Sequence, residues 1–180
     1  KNHQGVFAFL SPIDFHKIED IIPRLYEEGK NPLILVMDRI TDVRNFGAIA
    51  RTAECVGAHT ILIPELNSAA INADAVKTSS GALHRIPVSR TWNLKLSLQL
   101  MKDSGIQIIG CTEKTQDTIY NADFTKPTAI ILGSEEDGIS PELLKMCDMK
   151  TKIPINGKIL SLNVSVATGV ICYELLRQRN

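Results

Sequence analysis

Short, continuous apolar runs alternate along this chain with segments in which apolar residues return every three or four positions. The runs predict buried strands, and the periodic segments predict helices. The predicted strands are residues 33–37, 60–63, 86–88, 106–109, 129–132 and 150–153, and the predicted helices are 46–56, 72–78, 94–102, 141–146, 164–179 and one within 13–29. Because the strands are apolar throughout, both faces of the sheet should be covered. The pattern therefore favours an α/β fold with a mostly parallel sheet flanked by helices on both faces.

The length of 180 residues favours one folded domain. We assign residues 1–30 to a linker and lead-in segment and residues 31–180 to the main domain. No apolar run is long enough to cross a membrane. The 20 basic and 20 acidic residues give a net charge of zero, which argues against binding of nucleic acid by bulk charge and leaves a local basic patch open.

Four cysteines are widely separated and lie in or beside apolar stretches; they are Cys55, Cys111, Cys147 and Cys172. No pair has the spacing of a zinc site. This pattern is typical of buried, reduced thiols, and it predicts a cytoplasmic protein without a metal site.

The common nucleotide-binding and hydrolase motifs are missing. No two glycines have the spacing that begins a dinucleotide-binding loop. Gly133 and Gly138 have the spacing of a P-loop, but Ile139 and Ser140 follow where a lysine and a hydroxyl residue are required. The GxSxG and HExxH patterns are absent as well. An unrelated nucleotide enzyme is therefore disfavoured.

The first polar cluster, residues 42–51, follows the first strand and opens a helix. Ligands bind at the carboxyl ends of strands in open α/β sheets. Asn45 is a candidate cap of that helix, Gly47 permits close approach, and Arg51 lies one to two turns into it. The alternative is a capped helix with a solvated arginine.

The second cluster, residues 132–138, follows another buried strand and places four polar residues between two glycines. Gly133 would let backbone groups approach a ligand closely. A carboxylate here would orient a hydroxyl or a cationic ligand. The alternative is a polar turn with Asp137 and Gly138 at its tip.

The third cluster, residues 153–165, joins the last strand to the last helix. Ser161, Asn163 and Ser165 are all residue types that cap helices, but one cap needs only one of them. The surplus polar side chains favour a site over a simple cap.

Together the clusters resemble the SpoU–TrmH family of RNA ribose methyltransferases, which belongs to the trefoil-knot superfamily. The family pattern is Asn-x-Gly-x-x-x-Arg, then Leu-Gly-x-Glu-x-x-Gly, then Ile-Pro followed by Ser-Leu-Asn-Val-Ser, and all three parts occur here in order. Other segments resemble the branch that methylates a guanosine ribose in large-subunit ribosomal RNA: His3-Gln4-Gly5, 51–53, 77–82, Cys147-Asp148 and 177–179.

The sequence departs from that branch at three places. Val43-Arg44 stands where the branch usually has Pro-His, and Glu136-Asp137 stands where it has Gly followed by Gly or Lys. Residues 139–141 replace a segment that often begins with arginine. These differences leave the RNA target open.

The resemblance implies methyl transfer from S-adenosylmethionine to a ribose 2′-hydroxyl of RNA, in first place a guanosine of 23S ribosomal RNA. A transfer-RNA ribose methyltransferase and a non-catalytic RNA-binding relative are the alternatives. The resemblance also implies a C-terminal trefoil knot, a homodimer, no metal and no membrane partner. It further implies an N-terminal RNA-binding domain, which we expect to lie outside this chain.

The resemblance assigns two sets of residues. The catalytic set is Asn45, Arg51, Glu135, Ser161 and Asn163, and the cofactor-binding set is Thr112, Leu132, Gly133, Gly138, Ile153 and Leu162. Arg51 is the family's proposed base. Because guanidinium stays protonated in proteins, stabilisation of a forming alkoxide is the physically safer role.

Overall fold

The computed structural model describes residues 12–180. Its strands are β1 (Phe15–His16), β2 (Leu33–Met37), β3 (Thr60–Pro64), β4 (Val88–Thr91), β5 (Gln107–Cys111), β6 (Thr128–Leu132) and β7 (Met149–Thr151). Its helices are α1 (Ile18–Glu27), α2 (Val43–Cys55), α3 (Ala73–Thr78), α4 (Leu94–Asp103), α5 (Pro141–Leu144) and α6 (Val164–Arg179). Two short 3₁₀ turns cover Ala82–His84 and Ile119–Asn121.

The strands form one seven-stranded sheet in the order β1-β4-β3-β2-β6-β5-β7. Every pairing in it is parallel. The carboxyl ends of all strands therefore meet at one edge of the sheet, where parallel α/β folds place their sites. The predicted parallel α/β fold is confirmed.

Each face of the sheet carries its own hydrophobic core, since successive side chains of a strand point to opposite faces. Leu33 and Leu35 of β2 pack with residues of α2, α3 and α6. Ile34 and Val36 pack on the other face with α1, α4 and α5. Helices cover both faces, as the uninterrupted apolar strands predict.

The observed bounds match the prediction for β2 and α6, and they differ elsewhere for local reasons. The strand expected at 86–88 lies at Val88–Thr91 instead. Proline has no N–H to donate to a ladder, and Pro87 precedes the strand, where its carbonyl accepts from Ile61. α2 begins three residues before the predicted start, at Val43, and β1 is too short to be recognised from periodicity.

α1 lies in the segment assigned as lead-in, and its buried Ile18 and Ile22 pack in the core on one face of the sheet. Residues 1–11, which include His3-Gln4-Gly5, lie outside the described residues. Across residues 12–180, no helix is both long and apolar enough to traverse a bilayer. The trefoil knot stays a prediction.

Candidate active site

A cleft of 1610 Å³ opens at the carboxyl edge of the sheet, where β5, β6 and β7 end. Thr112 follows β5 and Gly133 follows β6, and both line the cleft. The cleft is lined by every residue of the predicted cofactor-binding set: Thr112, Leu132, Gly133, Gly138, Ile153 and Leu162. Segments from four parts of the chain thus form one concave surface that suits a small-molecule ligand.

Three predicted catalytic side chains form a hydrogen-bonded cluster beside this cleft. The Asn45 amide donates to Glu135 Oε1 at 2.8 Å, and the Asn163 amide donates to the same oxygen at 2.6 Å. Asn163 Nδ2 also donates to Asn45 Oδ1 at 3.1 Å. One carboxylate oxygen therefore joins the three motifs, which are far apart in the chain.

Helix capping decides which of these side chains are free to meet. The expectation that Asn45 caps α2 is wrong: Asp42 accepts from the Asn45 backbone N–H at 2.7 Å. Because Asp42 satisfies the helix end, the Asn45 amide is left for Glu135. At α6, Asn163 is the cap and accepts from the N–H groups of Ser165 and Val166. The Oδ1 of Asn163 therefore caps the helix, and its Nδ2 donates to the cluster.

The loop that carries Glu135 is tightly folded at its base. Ser134 and Gly138 pair through two backbone hydrogen bonds of 3.2 and 3.0 Å. A Cβ on Gly133 would lie 2.1 Å from the carbonyl carbon of Gly138 and 2.1 Å from the nitrogen of Ile139. Gly138 has φ +72, in the left-handed region. The close contacts require glycine at position 133, as expected for a close backbone approach, and the left-handed conformation favours glycine at position 138.

Asp38 and Arg39 hold this loop from the end of β2. Arg39 donates to Asp137 Oδ2 and to the Gly138 carbonyl, both at 3.0 Å. The buried Asp38 carboxylate accepts from the Ser140 N–H at 2.6 Å. Arg39 adopts φ +57, a left-handed conformation that is rare outside glycine. We call these two residues the loop clamp.

Thiol chemistry is disfavoured at the cleft. Burial raises the pKa of Cys111, which lines the cleft, to about 11, so it is a neutral thiol at physiological pH. Burial likewise raises the pKa of Cys172 to about 12. All four cysteines are unpaired. The expectation that all are buried is wrong for Cys55, which is exposed at the end of α2.

Residues 32–173 match the family model described as the SpoU rRNA Methylase family. The chain belongs to the SpoU rRNA methylase family. The resemblance inferred from the three sequence clusters is thereby confirmed.

Two curated relatives of this SpoU chain illustrate the family. The chain is 37% identical to a Bacillus subtilis protein named putative TrmH family tRNA/rRNA methyltransferase YacO. The alignment covers 99% of the chain and 72% of that relative. The chain is also 37% identical to the 23S rRNA (guanosine-2′-O-)-methyltransferase RlmB of Photorhabdus laumondii, again over 99% and 72%.

A solved structure has the same fold. The SpoU methyltransferase AviRb of Streptomyces viridochromogenes, crystallised with the cofactor AdoMet, aligns with a TM-score of 0.76 and 30% identity. The alignment covers 83% of this chain and 58% of AviRb, so the chain spans little more than half of that protein.

The remaining two residues of the predicted catalytic set are placed differently. Ser161 is exposed on the lining of the cleft. Arg51 is exposed on α2 and is not among the lining residues. The SpoU chain thus brings Asn45, Glu135 and Asn163 together within one protomer, and Arg51 stands apart from them.

Sequence reasoning missed the loop clamp and the cap of α2. Asp42 is an N-cap residue type directly before the helix, so the sequence pattern could have predicted that it caps α2. The pairing of Arg39 with Asp137 has no local signal, because the two residues meet only through the neighbouring positions of β2 and β6 in the sheet.

Proposed function

We propose that this SpoU-family chain transfers a methyl group from S-adenosylmethionine to a ribose 2′-hydroxyl of RNA. The observation that carries the proposal is the hydrogen-bonded meeting of Asn45, Glu135 and Asn163 beside a cleft at the carboxyl edge of the sheet. The names of YacO, RlmB and AviRb support the same reaction class.

The cleft fits the chemistry of the cofactor. Its lining combines apolar side chains, such as Leu132 and Ile153, with the backbone around Gly133, where a side chain has no room. Such a surface can pack an adenine and present N–H and C=O groups to it. When bound, the cofactor supplies a methyl group on an electrophilic sulfonium. The predicted cofactor-binding residues would hold it there.

The residues of this chain must orient a weak nucleophile. The Glu135 carboxylate fixes the two amides. Asn163 uses its groups in the cluster and the helix cap, so the second N–H of Asn45 and the other carboxylate oxygen of Glu135 are left to position the ribose. Arg51 would stabilise negative charge as it develops on the 2′-oxygen, since its guanidinium remains protonated. Ser161, on the cleft lining, would bind the substrate beside Asn163.

A second copy of this chain would bring Arg51 to the site. α6 leaves Val166, Val170 and Tyr173 exposed, at a spacing that aligns them on one side of the helix. Leu162, just before α6, is exposed as well. This apolar stripe supports a homodimer through α6, and α2, which carries Arg51, packs directly on α6. A Tyr173→Glu variant should be monomeric by analytical ultracentrifugation; an unchanged sedimentation coefficient would contradict this interface.

The substrate proposed in first place is a guanosine of 23S ribosomal RNA, which would place the reaction in the cytoplasm. The name of RlmB favours it, and the wider name of YacO keeps a transfer-RNA ribose as the second candidate. Mapping 2′-O-methyl sites in both RNA classes from a deletion strain decides between them: the lost modification identifies the substrate.

Calorimetry with purified protein tests the reaction class. We expect S-adenosylmethionine to bind at micromolar levels, and a folded sample without binding would refute the proposal. Methyl transfer to RNA from the deletion strain then separates the enzyme from a non-catalytic RNA-binding relative. In that assay Arg51→Ala should lower kcat about 10²-fold or more, on the scale of a lost electrostatic stabiliser. Arg24→Ala, on the opposite face of the sheet, is the control.

A further inference from the structure

Two arginines on α2, Arg44 and Arg51, differ from the other arginines of the chain in their contacts with residues 12–180. Within residues 12–180, Arg44 and Arg51 are exposed and make no hydrogen bond or ion pair. Every other arginine of the chain is engaged: Arg24 with Glu28, Arg39 with Asp137, Arg85 with Glu54, Arg90 with the Phe15 ring, Arg177 with Glu174 and Arg179 with backbone carbonyls.

The two free guanidinium groups lie on one side of the helix. They are seven residues apart, which is close to two full turns and about 10.5 Å along the axis. Exposed or half-exposed Ala48 and Cys55 continue the same side. We call this surface, Arg44 with Arg51, the arginine pair. The opposite side of α2 is buried by Phe46, Ile49 and Ala53.

We propose that Arg44 binds an RNA phosphate next to the nucleotide that is methylated at the cluster of its own protomer. Arg51 of that protomer lies further along the same strand, and the Arg51 that acts on the reacting ribose comes from the second copy. This inference rests on the proposed function. A guanidinium without a carboxylate partner is free for a phosphate, which it binds with paired N–H donors. The separation of the pair corresponds to about three nucleotides of stacked strand at ~3.4 Å each.

The position of Arg44 ties this contact to the reacting site. Arg44 precedes Asn45, whose side chain is bonded to Glu135 and Asn163. A strand lying along the exposed side of α2 therefore passes the cluster. The contact also explains how a protein with a net charge of zero would bind RNA. The affinity comes from two arginines on the exposed side of α2 that no carboxylate neutralises within the described residues.

The first test is the salt dependence of binding to a short fluorescein-labelled single-stranded RNA. Loss of one phosphate contact makes the slope of log K against log salt shallower by about 0.7. We expect this for Arg44→Ala, with affinity reduced several-fold, and we expect Arg44→Lys to restore the slope because it keeps the charge. Arg24→Ala, an exposed arginine on α1, should match the wild type.

The second test is the kinetics of methyl transfer to ribosomal RNA from the deletion strain. For Arg44→Ala we expect the KM for RNA to rise about three- to tenfold, because a phosphate contact away from the reacting atoms contributes to RNA binding. S-adenosylmethionine affinity and thermal stability should equal those of Arg24→Ala, because Arg44 contacts neither the cleft nor the core.

The outcomes separate this inference from the function on which it rests. If the wild type methylates RNA and Arg44→Ala behaves like Arg24→Ala in both tests, the phosphate contact is refuted. If Arg44→Lys fails to restore the slope, the contact is not one of charge and is refuted as well. A wild type that neither binds S-adenosylmethionine nor methylates RNA overturns the proposed function itself.

Discussion

At the carboxyl edge of the sheet, the side chains of the catalytic cluster bond to one another, whereas Arg179 at the amino edge bonds to backbone carbonyls. Asn45, Glu135 and Asn163 form the first group and remain partly or fully exposed. Arg179, at the end of α6, donates instead to the carbonyls of Phe124, Asn31, Pro32 and Lys126. The two edges therefore contribute differently to the protein.

The same helix takes part in both arrangements. The N-terminus of α6 presents Asn163 to the cluster, and its C-terminal turn ties together the segments that lead into β2 and β6. Gln178 adds bonds to the Ala122 carbonyl and the Phe124 N–H. We expect changes at the carboxyl edge to lower activity and changes at the amino edge to lower stability.

The largest expected effect is that of Glu135→Ala. Both amides lose their shared acceptor, so the substrate-facing groups lose their orientation. We expect kcat to fall about 10²- to 10³-fold, as for removal of a preorganised group in other active sites. The free energy of unfolding should change by less than about 1 kcal/mol because Glu135 is exposed. Steady-state kinetics and urea unfolding measure the two quantities.

Glu136→Ala is the matched control for that prediction, because Glu136 is the neighbouring exposed carboxylate and is not part of the cluster. Equal activities of the two variants would contradict a specific role for Glu135.

The second effect is at the opposite edge. Arg179→Ala leaves several backbone carbonyls without their donor, and we expect a loss of about 2–3 kcal/mol in the free energy of unfolding. Urea denaturation against Arg24→Ala measures it. The kcat of the folded variant should remain near that of the wild type. A stable but inactive Arg179→Ala would show that the two edges are not separable.

Arg39→Gly tests the loop clamp, and its expected effect is smaller than those of Glu135→Ala and Arg179→Ala. Glycine relieves a left-handed backbone position, which offsets the loss of a half-exposed ion pair, so stability should change by less than about 1 kcal/mol. S-adenosylmethionine affinity should fall, because the loop that lines the cleft loses its anchor. Arg39→Asn, which also tolerates positive φ, controls for the backbone, and calorimetry reads out affinity. Unchanged affinity in both variants would contradict the clamp.

The smallest expected effect is a pH dependence from His59, whose Nδ1 accepts from the Leu33 N–H at 3.0 Å. Burial, with the nearby charge of Arg179 second, lowers the pKa of His59 below its usual 6.5. The unfolded chain therefore binds this proton more readily, so stability is complete above about pH 6.5 and decreases as the pH falls below it. Unfolding of His59→Asn, which keeps an acceptor, should show a weaker decrease between pH 7.5 and 5.5. An identical pH profile would exclude His59 as the source.

The amino-acid sequence by itself determined the fold class and most of the elements. Uninterrupted apolar runs define strands that are buried on both faces, and this local signal located β2 correctly. The helical pattern of residues 164–179 located α6. The sequence also identified Gly133 and Gly138 as the two ends of a polar loop, and it placed the candidate site at the strand ends. The predicted bounds were wrong where a single residue sets the start of an element, as Pro87 does before β4 and Asp42 does before α2.

Only the tertiary structure decided which side chains meet. Asp42, by capping α2, released Asn45 for Glu135, and the sheet order placed Arg39 opposite Asp137. It also showed that Arg44 and Arg51 have no partner within the described residues. Hydrogen bonds and ion pairs depend on distances between residues remote in the chain, and strand order sets those distances. Local periodicity carries no information about that order.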